Sequence, residues 1–170
     1  RRLTSVIADF HFPPTDQNRE NLLREGFPPD RTWVTGNTVI DALQYVAERT
    51  FTFTDPALAT IPGRLILVTA HRRESFGEPF RNLCRGLATI AARYPDDTIV
   101  YPVHLNPNVR RPVGEILDDA PNVRLVEPLN YEPFVHLLKR AHLVLTDSGG
   151  IQEEAPGLGI PVLVMRETTE

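Results

Sequence analysis

The stretch from Thr146 to Met165, TDSGGIQEEAPGLGIPVLVM, holds residue types that could seat an anion and a polyol side by side. Ser148, Gly149 and Gly150 could open a helix whose bare N–H groups and dipole suit a phosphate, with glycine letting oxygen atoms approach the backbone. The plainer alternative makes Ser148 an N-cap and the glycines an aid to a tight turn. At about 100° per residue around a helix, Ile151 and Ala155 share the side facing a sheet. Glu153 then points to solvent, and Glu154 lies on the rim above Gly150. A carboxylate one turn beyond a phosphate seat would be repelled by the phosphate. It can accept two hydrogen bonds from a vicinal diol, the way an acidic residue reads a ribose in dinucleotide folds. These residues predict a ribonucleotide, with phosphate on Ser148, Gly149 and Gly150 and ribose on Glu154. Phe134, in NYEPFVHLL, could stack on the base or belong to the core.

A second cluster is AHRRE (70–74). His71 could act on a proton or hold a phosphate, and Arg72 or Arg73 could bind an anion bidentately. Alternatively the arginines pair with Glu74 and Glu78 while Ser75 caps the next helix. His104 stands at the end of another apolar run, whereas His11, His136 and His142 have no such placement and default to structural or surface roles. Cys84 falls on the apolar stripe Phe80, Leu83, Cys84, Leu87, Ile90, Ala91, which predicts inert packing.

The elements that must position these groups are short apolar runs alternating with amphipathic helices. The runs are LILVT (65–69), TIVYPV (98–103), VRLVE (123–127), LVLTD (143–147) and PVLVM (161–165). Near-continuous β-branched runs separated by helices predict a parallel sheet covered on both faces, a Rossmann-like α/β domain. In such sheets ligands sit beyond the carboxyl ends of the strands. His71, His104, Glu127, Asp147, Arg166, Glu167 and Thr168 all fall there, which predicts a ligand crevice along that rim. Upstream, a helix is expected from near Thr15 to Gly26, then a short strand TWVTG, then a helix from Asn37 to about Arg49. Residues 1–49 read as the end of one lobe, 50–63 as a linker and 64–170 as a second lobe.

The 170 residues are 41% hydrophobic and carry a formal net charge of -4, enough to bury a core but without a field that draws nucleic acid or anionic lipid. Any bound anion must be held locally. The single cysteine excludes an internal disulfide and a cysteine-based zinc cluster, and suits a reducing cytoplasm. No membrane-spanning run or signal-peptide pattern is present. The chain begins and stops mid-pattern, as a piece of a longer protein would.

Three strings, VTAHRRESFG (68–77), YPVHLNPNVR (101–110) and LTDSGGIQEEAPGLGIPVLVMRETTE (145–170), together with WVTGNTVIDAL (33–43), closely resemble the non-hydrolysing UDP-N-acetylglucosamine 2-epimerases. The resemblance implies the two-lobed glycosyltransferase-B-type fold with the active site between the lobes. It implies reversible conversion of UDP-N-acetylglucosamine to UDP-N-acetylmannosamine by elimination and re-addition of UDP, without metal or redox cofactor, in a homodimeric full-length enzyme. It places UDP contacts on Ser148, Gly149, Gly150, Glu154 and Phe134, and the active-site histidine on His71. An activating second substrate molecule falls to Arg72 and His104. The family's catalytic carboxylates are expected upstream of Arg1, so an isolated chain should not turn over. A glycosyltransferase of the same fold, a hydrolysing epimerase and a non-catalytic nucleotide-sugar-binding module remain alternatives.

Overall fold

The computed structural model describes residues 2–166; Glu167 and Thr168, expected on the rim, lie outside the described residues. The backbone divides into two compact units, Arg1–Ala42 and Leu43–Glu170.

In the first unit, α1 (Arg2–Ile7) precedes α2 (Asp16–Arg24). Thr15 starts α2 by accepting from Asn18 N at 3.2 Å, and Gly26, at φ 91°, turns the chain away after its end. The strand expected at TWVTG does not form. Thr32 makes a single parallel bridge to His11. Trp33 N donates to His11 O at 3.0 Å and Thr35 N to Pro13 O at 3.2 Å. Pro13 and Pro14 have no N–H to return, so the ladder stops there.

The helix α3 (Thr38–Ala47) is capped by Asn37, whose Oδ1 accepts from Val39 N at 3.1 Å. Its last residues, Leu43 and Ala47, belong to the core of the second unit. The segment expected as a linker contains a short helix, α4 (Pro56–Ala59), whose Leu58 joins the same core, with Phe53 and Ile61 packed against it.

The second unit is built on the predicted sheet. Its strands are β1 (Leu65–Thr69), β2 (Thr98–Pro102), β3 (Val123–Val126), β4 (Leu143–Thr146) and β5 (Val162–Val164). All pairs are parallel, in the order β3-β2-β1-β4-β5. Helices α5 (Glu78–Arg93), α6 (Pro107–Leu117), α7 (Tyr131–Arg140) and α8 (Gly149–Gly157) make the crossovers. Strand side chains alternate between two cores. Ile66, Val68, Ile99, Tyr101 and Leu145 meet Phe80, Cys84 and Leu87 of α5 and Val109 and Val113 of α6. Leu65, Leu67, Val100 and Val144 meet Val135 and Leu138 of α7 and Ile151 and Ala155 of α8. Each such buried large side chain contributes about 1.5–3 kcal/mol relative to exposure. Cys84 is buried in the first core and its thiol is pushed up to about 11 by that burial, as the packing role predicts.

The amino-terminal edge of the sheet is tied by an ion pair. Arg64 donates through Nε and Nη2 to the Asp97 carboxylate at 3.0 and 2.7 Å, and Arg64 N adds a bond at 3.1 Å. These hydrogen bonds hold the Asp97 carboxyl below its ordinary range.

Candidate functional site

From β1 the chain proceeds outward through β2 to β3, while β4 and β5 lie on the other side. The gap between β1 and β4 is therefore the point where strand order reverses, the usual place for a ligand crevice. Thr69 and Thr146 pair across it, with hydroxyl oxygens 2.6 Å apart, and Ser148 N donates to Thr146 Oγ1 at 2.9 Å. The chain segments leaving β1 and β4 thus depart side by side.

Asp147 locks them together. Its carboxylate is buried, and Oδ2 accepts from both His71 N and Arg72 N at 2.7 Å. The other oxygen, Oδ1, has no hydrogen-bond partner and lies 3.7 Å from His71 Nδ1. The His71 ring stacks on His104, with centroids 5.4 Å apart and planes 9° from parallel. His104 Nδ1 accepts from Asn106 N at 3.1 Å, which leaves its ring proton on Nε2 when neutral. A cavity of about 220 Å³ opens between these groups, lined by Thr69, His71, His104, Phe134, Ser148 and Ile151 among others.

At α8 the plainer alternative holds only for the position of Ser148. Ser148 occupies the N-cap position, but its side chain makes no capping hydrogen bond. Neither Gly149 nor Gly150 has a positive φ. A Cβ on Gly149 would sit 3.8 Å from Arg72 Nη2, and one on Gly150 3.9 Å from Glu154 Oε1, both ordinary contacts. Neither the turn nor the packing requires glycine here. What glycine provides is uncovered backbone at the end of a helix whose first N–H groups have no intrahelical acceptor.

Glu154 stands over Gly150 as the helical wheel predicts, half-buried, while Glu153 is exposed and Ile151 and Ala155 are buried. Burial, and then the neighbouring Glu153 charge, raise the Glu154 carboxyl above its ordinary value. Phe134 lines the cavity and also packs against the second core.

The remaining rim residues sort themselves. Glu74 and Glu78 pair with Arg166 and Arg85, at 2.9 and 2.6 Å. Ser75 lies in a short 3-10 turn, and Gly77 rather than Ser75 precedes α5. Glu127 pairs with Arg110. Arg72 brings its guanidinium beside Gly149, and Arg73 is exposed. Away from the crevice, His136 is buried and stacked on Phe51, His11 is buried against Phe27, and His142 is exposed.

Two residues were not singled out from the sequence. Asp147 reads as one more polar residue at a strand end, because its donors lie 75 and 76 residues upstream. Tyr131, at the start of α7, has its phenol raised by burial and then by the Glu154 charge. Its signal was available: Tyr131 and Phe134 are three apart on one helix face. Among the described residues no group of three or more His, Cys, Asp or Glu side chains converges as metal ligands. No helix among them is long and apolar enough to cross a membrane.

The family model described as UDP-N-acetylglucosamine 2-epimerase matches residues 1–170. The chain belongs to that family. The family's UDP-N-acetylglucosamine 2-epimerase from Salmonella typhimurium is 56% identical over 179 residues, covering 100% of this chain and 47% of the relative. The crystal structure of the Neisseria meningitidis UDP-GlcNAc 2-epimerase bound to UDP-GlcNAc superposes with a TM-score of 0.84 at 47% identity, over 99% of this chain and 47% of that one. An Escherichia coli heptosyltransferase, at 15% identity and a TM-score of 0.54 over 91% of this chain and 46% of that one, shares the fold alone. The chain spans about half the length of the curated relatives it matches.

Proposed function

We propose that this chain supplies the nucleotide-binding half of an enzyme that reversibly converts UDP-N-acetylglucosamine to UDP-N-acetylmannosamine. The observation that carries the reading is the pairing on α8 of two glycines that neither turn nor packing requires with a half-buried carboxylate one turn on. The first suits a diphosphate and the second a ribose. Phosphate oxygens accept from the Ser148 hydroxyl and from the N–H groups of Gly149 and Gly150, the ribose hydroxyls donate to Glu154, and the base packs on Phe134. His71, in the same cavity, is positioned to hold the diphosphate or to pass a proton to the departing UDP oxygen. Arg72 and His104 are assigned to a second, activating substrate molecule. The stacking of His104 on His71 supports a neighbouring subsite that communicates with the first.

Residues 1–49 are assigned to the end of a first lobe, 50–63 to the connection and 64–170 to the second lobe. The groups that remove the C2 proton are assigned to the first lobe. For the complete protein we expect a homodimer acting on UDP-sugars in the cytoplasm. The test is NMR of the complete protein incubated with UDP-N-acetylglucosamine in D2O. The manno epimer should appear with deuterium at C2. An epimer without deuterium, or free N-acetylmannosamine as the first product, would refute the reading.

A further inference from the structure

We propose that Asp147 is a positioning residue for His71, its buried Oδ1 taking the imidazole Nδ1–H and thereby turning Nε2 into the cavity. The inference rests on the reading of His71 as a residue that meets the bound nucleotide sugar. The geometry comes from two halves of one carboxylate. Oδ2 fixes the backbone of residues 71 and 72 through two bonds of 2.7 Å, so the root of the His71 side chain is already set. Oδ1 is buried without a hydrogen-bond partner, 3.7 Å from Nδ1. A buried carboxylate oxygen left unpaired is costly. The gap to Nδ1 exceeds a normal hydrogen bond by under ~1 Å, within reach of a ring rotation. The parallel His104 ring lets the His71 side chain slide across its face and resists tilting out of the plane. Once Nδ1–H is engaged, Nε2 is the nitrogen left to meet the ligand: it accepts a proton in the neutral ring and passes it on when the ring is protonated.

The substitution Asp147→Asn separates positioning from mere support. The amide oxygen can replace Oδ2 on the two backbone N–H groups, while the amide N–H then faces Nδ1 and forces the ring proton to Nε2. Long-range proton–nitrogen NMR of the complete protein, recorded at high pH so that the neutral ring is observed, reads the tautomer directly. Wild type should carry the His71 proton on Nδ1 and Asp147→Asn on Nε2. In the variant kcat should fall about 10²- to 10⁴-fold with KM within about threefold. Wild-type His71 protonated on Nε2, or a tautomer unchanged by the substitution, would overturn the inference without needing any activity. The expected tautomer exchange with undiminished kcat would leave Asp147 as the positioning residue and refute the assigned role of His71 instead.

Discussion

Asp97 and Asp147 stand at opposite ends of the same parallel sheet, and both are buried. At the amino-terminal edge, Arg64 occupies both oxygens of Asp97, so the carboxylate closes a structure and has nothing left to offer. At the carboxyl edge, Asp147 spends one oxygen on the backbone of the neighbouring segment and keeps the other beside an imidazole. The contrast follows from the direction of the strands. With every strand parallel, one edge gathers chain entries, which need only anchoring, and the other gathers the segments leading into helix N-termini, where N–H groups face outward. The Asp97 charge is absorbed at the first edge, and one oxygen of Asp147 is left available at the second.

Substitutions at the two edges should separate function from stability. The largest effect is expected for His71→Asn in the complete protein. Its kcat/KM should fall about 10²- to 10⁴-fold, with the thermal midpoint little changed, and steady-state kinetics with a melting curve check both. A drop in midpoint with normal turnover would make the carboxyl edge as structural as the other.

Next is Glu154→Gln. Loss of a charge-assisted hydrogen bond of about 1.5–3 kcal/mol corresponds to roughly 10- to 150-fold weaker UDP binding by calorimetry. Glu153→Gln, on the exposed side, should change little. Because burial raises the Glu154 carboxyl, the fold favours its protonated form, and stability is lost as pH rises through the raised folded value. At neutral pH the same Glu154→Gln substitution should therefore raise the midpoint while weakening binding. A lower midpoint would reverse the assignment.

Arg72→Ala sharpens the division within the carboxyl edge. As an activator-site residue it should reduce stimulation of the reverse reaction by UDP-N-acetylglucosamine, with UDP affinity kept within a few-fold. Since Arg72 Nη2 lies beside Gly149, a selective loss of UDP affinity would reassign it to the diphosphate.

The smallest effect belongs to Asp97. Its folded carboxyl titrates below the ordinary range, so the stabilisation it gives is present above the unfolded value of about 3.9 and is lost as pH falls toward the folded one. Denaturant midpoints of Asp97→Asn should show a shallower loss below about pH 4, with UDP binding unchanged.

The sheet was legible because burial on both faces makes strands such as LILVT and TIVYP nearly continuous apolar runs, a signal contained within each strand. Glu154 was legible for a similar reason, since its position relative to Ile151 and Ala155 depends only on helical rotation. Asp147 was not, because its partners at 71 and 72 are brought to it by strand order rather than by sequence. TWVTG failed for the same reason in reverse. Its β propensity was real, but the partnering segment ends in two prolines.

The one thiol of this chain acts as a built-in clock. Cys84 has no exposed surface, and burial pushes its thiol up to about 11, so a thiol reagent at neutral pH meets neither access nor thiolate while the sheet and α5 stay together. Labelling can proceed only through openings that bring the sulfur into water. Its rate should therefore count the excursions of this half of the molecule from its native state, and a bound nucleotide should slow the count by as much as it stabilises the fold.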